Sequence, residues 1–311
     1  MINLAKKSAA VVQSQEALTE LLDARVMAFK CHMETPIDVC IAFLDAMDQP
    51  QVLSSYKHFP SECRDIWRFI SAKGAALESR TFLVLLILTG MKRTVESNRW
   101  SSLPIRVLVG QLKYFHWMAS EITGTEEWLD LDSDTFQKEI GAAMLHLYVC
   151  GSQMVEYRSG LPRKLLLTDG LRKSISNALY FTRIGGFKPF FQIHMHVHLR
   201  SHFNYIGRKE CYHCCAELYA IHPEILGMFG GSWFYDPCVR IISPHLSYLQ
   251  DEPISGGARL FRWGPTEDCG HDALLTSATR RNLAERGLYA PSSYFLVWDR
   301  ESQLMWSAKV E

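Results

Sequence analysis

The sequence predicts an α+β protein, with a predominantly helical amino-terminal half followed by a mixed α/β sheet domain. Three observations predict it. Apolar residues recur at three- and four-residue spacing in nearly every segment up to about residue 150, the mark of amphipathic helices. Beyond Gly185-Gly186 strand-length and helix-length segments alternate, which argues for helices packed on a sheet. No tandem repeat, low-complexity tract or sustained heptad interrupts either part. At 311 residues and 48% hydrophobic content the chain can bury two cores. The glycine pair, with Pro189 after it, sets the expected boundary, giving a helical domain over 1–185 and an α/β domain over 186–311.

Taken in order, Ser14 can cap a helix running to Lys30, and Thr35-Pro36 offers a cap and a first-turn proline to a second, striped by Ile37, Cys40, Ile41 and Leu44. Pro60-Ser61 opens a third through Ile66, Trp67 and Ile70. A fourth is centred on the apolar run Phe82–Leu88, with Gly90 as its expected stop. Pro104–Ile122 carries Val107, Leu108, Leu112, Phe115 and Met118 at helical spacing, and Asp132-Ser133 precedes Phe136, Ile140, Ala143, Met144 and Leu147 in the same manner. Leu171–Arg183 reads as a helix after the basic turn 158–164. The second half then reads strand 190–199, helix 208–222, strand 226–235, helix 240–250, strand 257–263, helix 271–286, strand 292–299 and a last strand 303–309.

Thirty-three basic residues balance thirty-three acidic ones, so no global field draws in nucleic acid or an anionic membrane. The Phe82–Leu88 run is far shorter than the roughly 20 residues that span a bilayer. Nine cysteines without a framework, behind an amino terminus with no secretory core, lead to the expectation of a cytoplasmic, reduced, soluble protein.

Polar chemistry concentrates in the stretch Phe190–Pro237, which holds six of the twelve histidines. Ile193, Met195, Val197 and Leu199 alternate with His194, His196 and His198, so a strand would project three imidazoles to one side. His213 and Glu217, four apart on the next helix, share a face. Ser232, Tyr235 and Asp236 close the following strand and border a possible pocket. Two imidazoles and a carboxylate suit zinc or non-haem iron, so His194, His196, His198, His213 and Glu217 form a candidate metal set. The competing reading is a solvated histidine face, since no H-E-x-x-H motif is present. Cys211, Cys214 and Cys215 fall mid-helix and read as small buried hydrophobes.

Arg259, Arg262, Arg280 and Arg281 can receive a phosphate-bearing cofactor through guanidinium forks, against the alternative of a solvated face. Neither Gly230-Gly231 nor Gly256-Gly257 fits a P-loop or a dinucleotide fingerprint, and no G-x-S-x-G elbow is present.

Leu226–Tyr235, Arg240–Gln250, Ala258–Trp263 and the segment ATRRNLAERGLYAP running into Tyr294–Trp298 follow a strand, helix, strand, helix, strand order. That order resembles the carboxyl-terminal half of GNAT-type N-acyltransferases over about 85 residues. The resemblance implies acyl transfer from an acyl-CoA to an amine. The family's pyrophosphate loop, Q/R-x-x-G-x-G/A, has no counterpart after Asp236, where the chain reads PCVRIISPHL.

Three functional readings follow. The leading one is an enzyme of small-molecule metabolism that transfers an acyl group, with His194 or Asp236 taking the amine proton and Tyr235 and Ser232 at the strand end. The second is a zinc- or iron-dependent enzyme on the histidine strand. The third is a non-catalytic interaction protein whose partner surface lies on the helical half. Both enzymatic readings expect a pocket lined by some of His194, His196, Glu217, Ser232, Tyr235 and Asp236.

Overall fold

The computed structural model describes residues 2–49, 55–73, 76–167, 171–265 and 267–310. It is α+β, with about 61% helix and a six-stranded mixed sheet. The chain forms two compact units, Met1–Glu156 with Met195–Ser201, and Tyr157–His194 with His202–Glu311. The expected boundary at Gly185 therefore lies inside the second unit. The reason is a cluster in which Leu161, Leu165, Tyr180 and Phe181 pack with Phe190, Phe229, Phe261 and Val297, so residues before the glycines share a core with the strands after them.

The first unit is built from α1 (Ile2–Lys30), α2 (Ile37–Met47), α3 (Ser61–Lys73), α4 (Ala76–Val95), α5 (Asn98–Ser101), α6 (Ile105–Glu121) and α7 (Asp134–Ala143), followed by the hairpin β1 (Leu147–Cys150) and the start of β2 (Gln153–Ser159). Every residue from Phe82 to Leu88 is fully buried. A helix apolar all round must be surrounded, and α1, α2, α3 and α7 all pack on α4. Two expectations fail here. Helix α1 begins well before Ser14, and α4 runs through Gly90 to Val95. Gly90 is instead a close-approach position, where a Cβ would lie 3.3 Å from Met144 Sδ. Among the described residues no helix is long and apolar enough to cross a membrane.

The second unit contains α8 (Leu171–Arg183), β3 (Phe190–His194), α9 (Tyr205–Leu218), β4 (Gly227–Ser232), α10 (Val239–Ile242), α11 (Tyr248–Ser255), β5 (Arg259–Gly264), α12 (Glu267–Leu275), α13 (Ala278–Glu285), β6 (Ser293–Asp299) and α14 (Arg300–Val310). The sheet order is β1-β2-β3-β4-β6-β5. β3 and β4 run parallel, and β6 lies antiparallel to both β4 and β5. A parallel pair needs a crossover, and α9 supplies it after Asn204 caps its first turn by accepting from Gly207 N at 3.0 Å.

The segment 303–309, expected as a strand, is helical. Asp299 explains the difference: its Oδ1 accepts from Ser302 N at 3.0 Å and its Oδ2 from Ser302 Oγ at 2.9 Å, which starts a helix at the strand's end. Gln303, fully buried, then accepts from Tyr219 Oη at 2.7 Å and donates to Tyr212 O at 3.0 Å, fixing α14 on α9.

Candidate functional site

The histidine segment does not form one strand. β3 ends at His194, and residues 197–202 turn into a 3₁₀ helix, so the three imidazoles do not share a strand face. Tertiary partners override the alternation. Lys138 Nζ donates to Met195 O at 2.8 Å, and the next two histidines are drawn to Glu139 on α7. His196 and His198 thus belong to the first unit, and His194 to the second.

Glu139 is fully buried. Its two oxygens accept from Tyr114 Oη on α6 at 2.8 and 2.9 Å. His196 Nε2 lies 3.2 Å and His198 Nε2 3.7 Å from the same oxygen, Oε1, but neither approach has hydrogen-bond geometry. His198 N–H points at His196 Nδ1 at 3.3 Å. An acceptor at Nδ1 places the proton of a neutral His196 on Nε2, toward the carboxylate. Rings wall the group: Trp117 and Trp128 lie 4.7 and 6.1 Å from the His198 ring, and Tyr114 lies 6.2 Å from that of His196.

The electrostatics follow from burial. Desolvation, with the Glu139 charge and hydrogen bond added, pushes the Tyr114 phenol well above its usual range, so it remains a donor. Burial lowers the pKa of His198, Glu139 opposes the shift and His196 adds to it. His198 is therefore neutral at pH 7. Its side chain keeps 24% of its exposure, and Nε2 is not in that exposed part.

In the second unit the remaining candidates serve several separate purposes. His194 is the half-buried last residue of β3. Ser232 ends β4 opposite Tyr294 of β6. Asp236 is 4% exposed and holds a turn, its Oδ1 accepting from Cys238 N at 3.0 Å and its Oδ2 from Ser292 N at 3.3 Å. Tyr235 is buried and its Oη accepts from Arg208 Nη2 at 2.7 Å. His213 turns to α14, with Nδ1 2.8 Å from Ser307 Oγ and its ring 4.7 Å from that of Trp306. Glu217 lies one turn further along α9.

The four arginines do not converge on one anion site. Arg259 stacks over Tyr180 at 4.3 Å, and Arg262 is exposed on β5 opposite Tyr294. Arg280 donates to Ser243 Oγ at 2.9 Å and lies 4.4 Å over Trp233. Arg281 donates to the carbonyls of Leu274 and Leu275 at 2.9 and 2.7 Å. A cleft of about 400 Å³ lies elsewhere, lined by Arg183, Ile184, Pro223, Leu226, Asp299 and Arg300 among others. Leu226 immediately precedes β4, so the cleft is at the end of that strand opposite Ser232.

Compared with known proteins, the chain matches no family model, no curated protein and no solved structure. Its chemistry has to be read from its own geometry.

Among the described residues, no group of three or more His, Cys, Asp or Glu side chains is placed to hold a metal ion. The expected set is divided, with His196 and His198 in one unit and His194, His213 and Glu217 in the other. Cys211, Cys214 and Cys215 are buried, as their mid-helix position predicts.

Glu139, Tyr114 and Arg208 were missed by motif reasoning. A signal for two of them exists in the sequence. Glu139 occupies the apolar stripe Phe136, Glu139, Ile140, Ala143, and Arg208 the stripe Arg208, Cys211, Tyr212, Cys215. A charged residue on a core-facing stripe must be met by a partner inside.

Proposed function

We propose that the second unit is an acyltransferase of GNAT type, which moves an acyl group from an acyl-CoA to the amine of a small molecule. One observation carries the reading. The parallel strands β3 and β4 pair at Phe191↔Met228 and Gln192↔Phe229 and end at His194 and Ser232, so an imidazole and a hydroxyl stand at the carboxyl ends of adjacent parallel strands. α/β sheets take their ligands outside the carboxyl ends of their parallel strands. An extended, amide-bearing chain such as the pantetheine arm suits a strand end that offers backbone donors and acceptors. The order strand, helices, strand, helices and strand from β4 to β6 supports the same assignment, although the second of the resemblance's two last strands is replaced by α14.

In this reading His194, at the carboxyl end of β3, takes the proton from the attacking amine. The nitrogen forms its bond to the thioester carbonyl carbon, strand N–H groups steady the oxyanion, and the C–S bond breaks to release coenzyme A with the proton returned to its sulfur. Asp236 is not given the role of base, because both its oxygens accept backbone N–H groups.

The test is thermal unfolding with acetyl-CoA and longer acyl-CoA compounds, followed by thiol release in the presence of an amine panel. Stabilisation and amine-dependent release are expected. His194→Ala should lower the rate about 10²–10⁴-fold while leaving the acyl-CoA stabilisation in place. Folded protein that no acyl-CoA stabilises would remove the proposal.

A second reading, a metal-dependent enzyme, has one observation in its favour. The Nε2 atoms of His196 and His198 converge on Glu139 Oε1 off the hydrogen-bonding axis. Against it stands the lack of a suitable three-ligand group among the described residues. Metal analysis of protein purified without a polyhistidine tag decides: stoichiometric zinc or iron lost on His196→Ala supports it, and metal-free protein of unchanged stability excludes it.

A further inference from the structure

Arg208 on α9 is 1% exposed, yet no carboxylate among the described residues pairs with it. Its Nη2 donates to Tyr212 Oη at 2.8 Å and to Tyr235 Oη at 2.7 Å. The guanidinium carbon lies 5.0 Å from the Tyr212 ring centre and 5.8 Å from that of Phe203. Nε and Nη1 have no acceptor among the described residues. Burial works against its charge, and Tyr212, Tyr235 and Cys211 act the other way; burial also pushes both phenols up, so both are neutral.

A buried lysine or histidine in this position would shed its proton, but a guanidinium does not. The charge therefore persists inside the unit, and two neutral hydroxyls solvate it without cancelling it. Water at Nε and Nη1 would satisfy the donors and still leave the charge unmatched. An anionic oxygen does both, and guanidinium hydrogen bonds to carboxylate or phosphate are the strong, charge-assisted kind.

We propose that Arg208, walled by Phe203, Tyr212 and Tyr235, is a binding site for the oxyanion of a small ligand, a carboxylate or a phosphate group. Phe203 is half-buried and its ring centre lies 5.8 Å from the guanidinium carbon, which makes it the edge of the site nearest the surface. The tyrosines hold the guanidinium in place from one nitrogen, and the remaining N–H groups face the ligand. This site is independent of the acyl-transfer reading, because the test contains no acyl-CoA.

The probes are sodium phosphate and sodium acetate, titrated separately into the full chain at constant ionic strength with chloride as the balancing anion, and read by thermal unfolding. At least one should raise the midpoint saturably, by several degrees at about 100 times its dissociation constant. A response to phosphate alone assigns a phosphorylated ligand, and a response to acetate a carboxylate. Arg208→Met should abolish the shift while unfolding, without anion, at or above the wild-type midpoint, since it removes an unmatched charge. If that variant does not fold, equilibrium dialysis of the labelled anion against wild type and Arg208→Lys decides, with binding about tenfold weaker expected for the lysine. No saturable shift with either anion, an undiminished shift in Arg208→Met, or equal dialysis binding by Arg208→Lys would overturn the assignment.

Discussion

His196 Nε2 lies 3.2 Å from Glu139 Oε1, with the two side chains 1% and 0% exposed. A carboxylate so placed depends on its neighbours, because a charge removed from water is tolerable only where fixed dipoles or an opposite charge replace the solvent. Tyr114 and the two histidines supply them. Glu139→Gln keeps the volume and one hydrogen bond to Tyr114 but removes the charge, and should lower stability by about 1–3 kcal/mol. Imidazole titration followed by NMR should show His198 falling further, since Glu139 is the charge that holds it up. An unchanged His198 titration would mean that the carboxylate does not act on it.

Stability should fall on mild acidification. Burial, reinforced by Arg99, lowers the pKa of His146 to about 4, against about 6.5 in an unfolded chain. The unfolded state therefore binds the proton first as the pH falls, and the contribution present above about pH 6.5 is lost progressively down to about pH 4. His198 acts in the same direction. The loss between pH 7 and 4.5 should be on the order of 2 kcal/mol from His146, allowing for its partial exposure. Denaturant midpoints for wild type and His146→Gln measure it: the variant should show the shallower slope, and parallel slopes would contradict the assignment.

Asp236 should prove structural. Its two oxygens hold Cys238 N and Ser292 N, so Asp236→Ala leaves the buried Ser292 donor unsatisfied, at about 1–3 kcal/mol, and loses a weaker, partly exposed bond to Cys238. Urea unfolding reads this directly. Intact stability with abolished turnover would return Asp236 to the chemistry.

Gly227 should tolerate no side chain. A Cβ there would lie 2.4 Å from Trp298 O and 2.9 Å from Asp299 Cα, both backbone atoms of the neighbouring strand β6 that cannot swing aside. Gly227→Ala should destabilise by about 1–3 kcal/mol or more and loosen the β4–β6 pairing, visible as faster amide exchange at Leu296–Asp299. Wild-type exchange in that strand would show that the sheet accommodates the methyl.

The sequence by itself determined the class, the predominantly helical first 150 residues, apart from the strand β1 that takes Leu147 off its expected helical stripe, and many element positions in the second half, because these depend on periodicity. A helix that buries one face writes its period into the chain, as Val107, Leu112, Phe115 and Met118 do for α6, and β6 is legible instead as a short apolar run, Leu296–Trp298, buried on both faces. Charges on a core stripe, Glu139 and Arg208, were also legible as anomalies. Tertiary structure alone decided where β3 stops and which polar groups meet, whereas the helix over 303–309 starts from a local cap, Asp299 on Ser302, that the strand reading passed over. The alternation from Ile193 to Leu199 favours a strand locally, but Lys138 and Glu139, more than fifty residues earlier, provide partners that a continued strand would forgo. Local pattern fixes which face of a segment is apolar; pairing between residues far apart in the chain is set by which buried charge each can satisfy, and that depends on the packing of the whole unit.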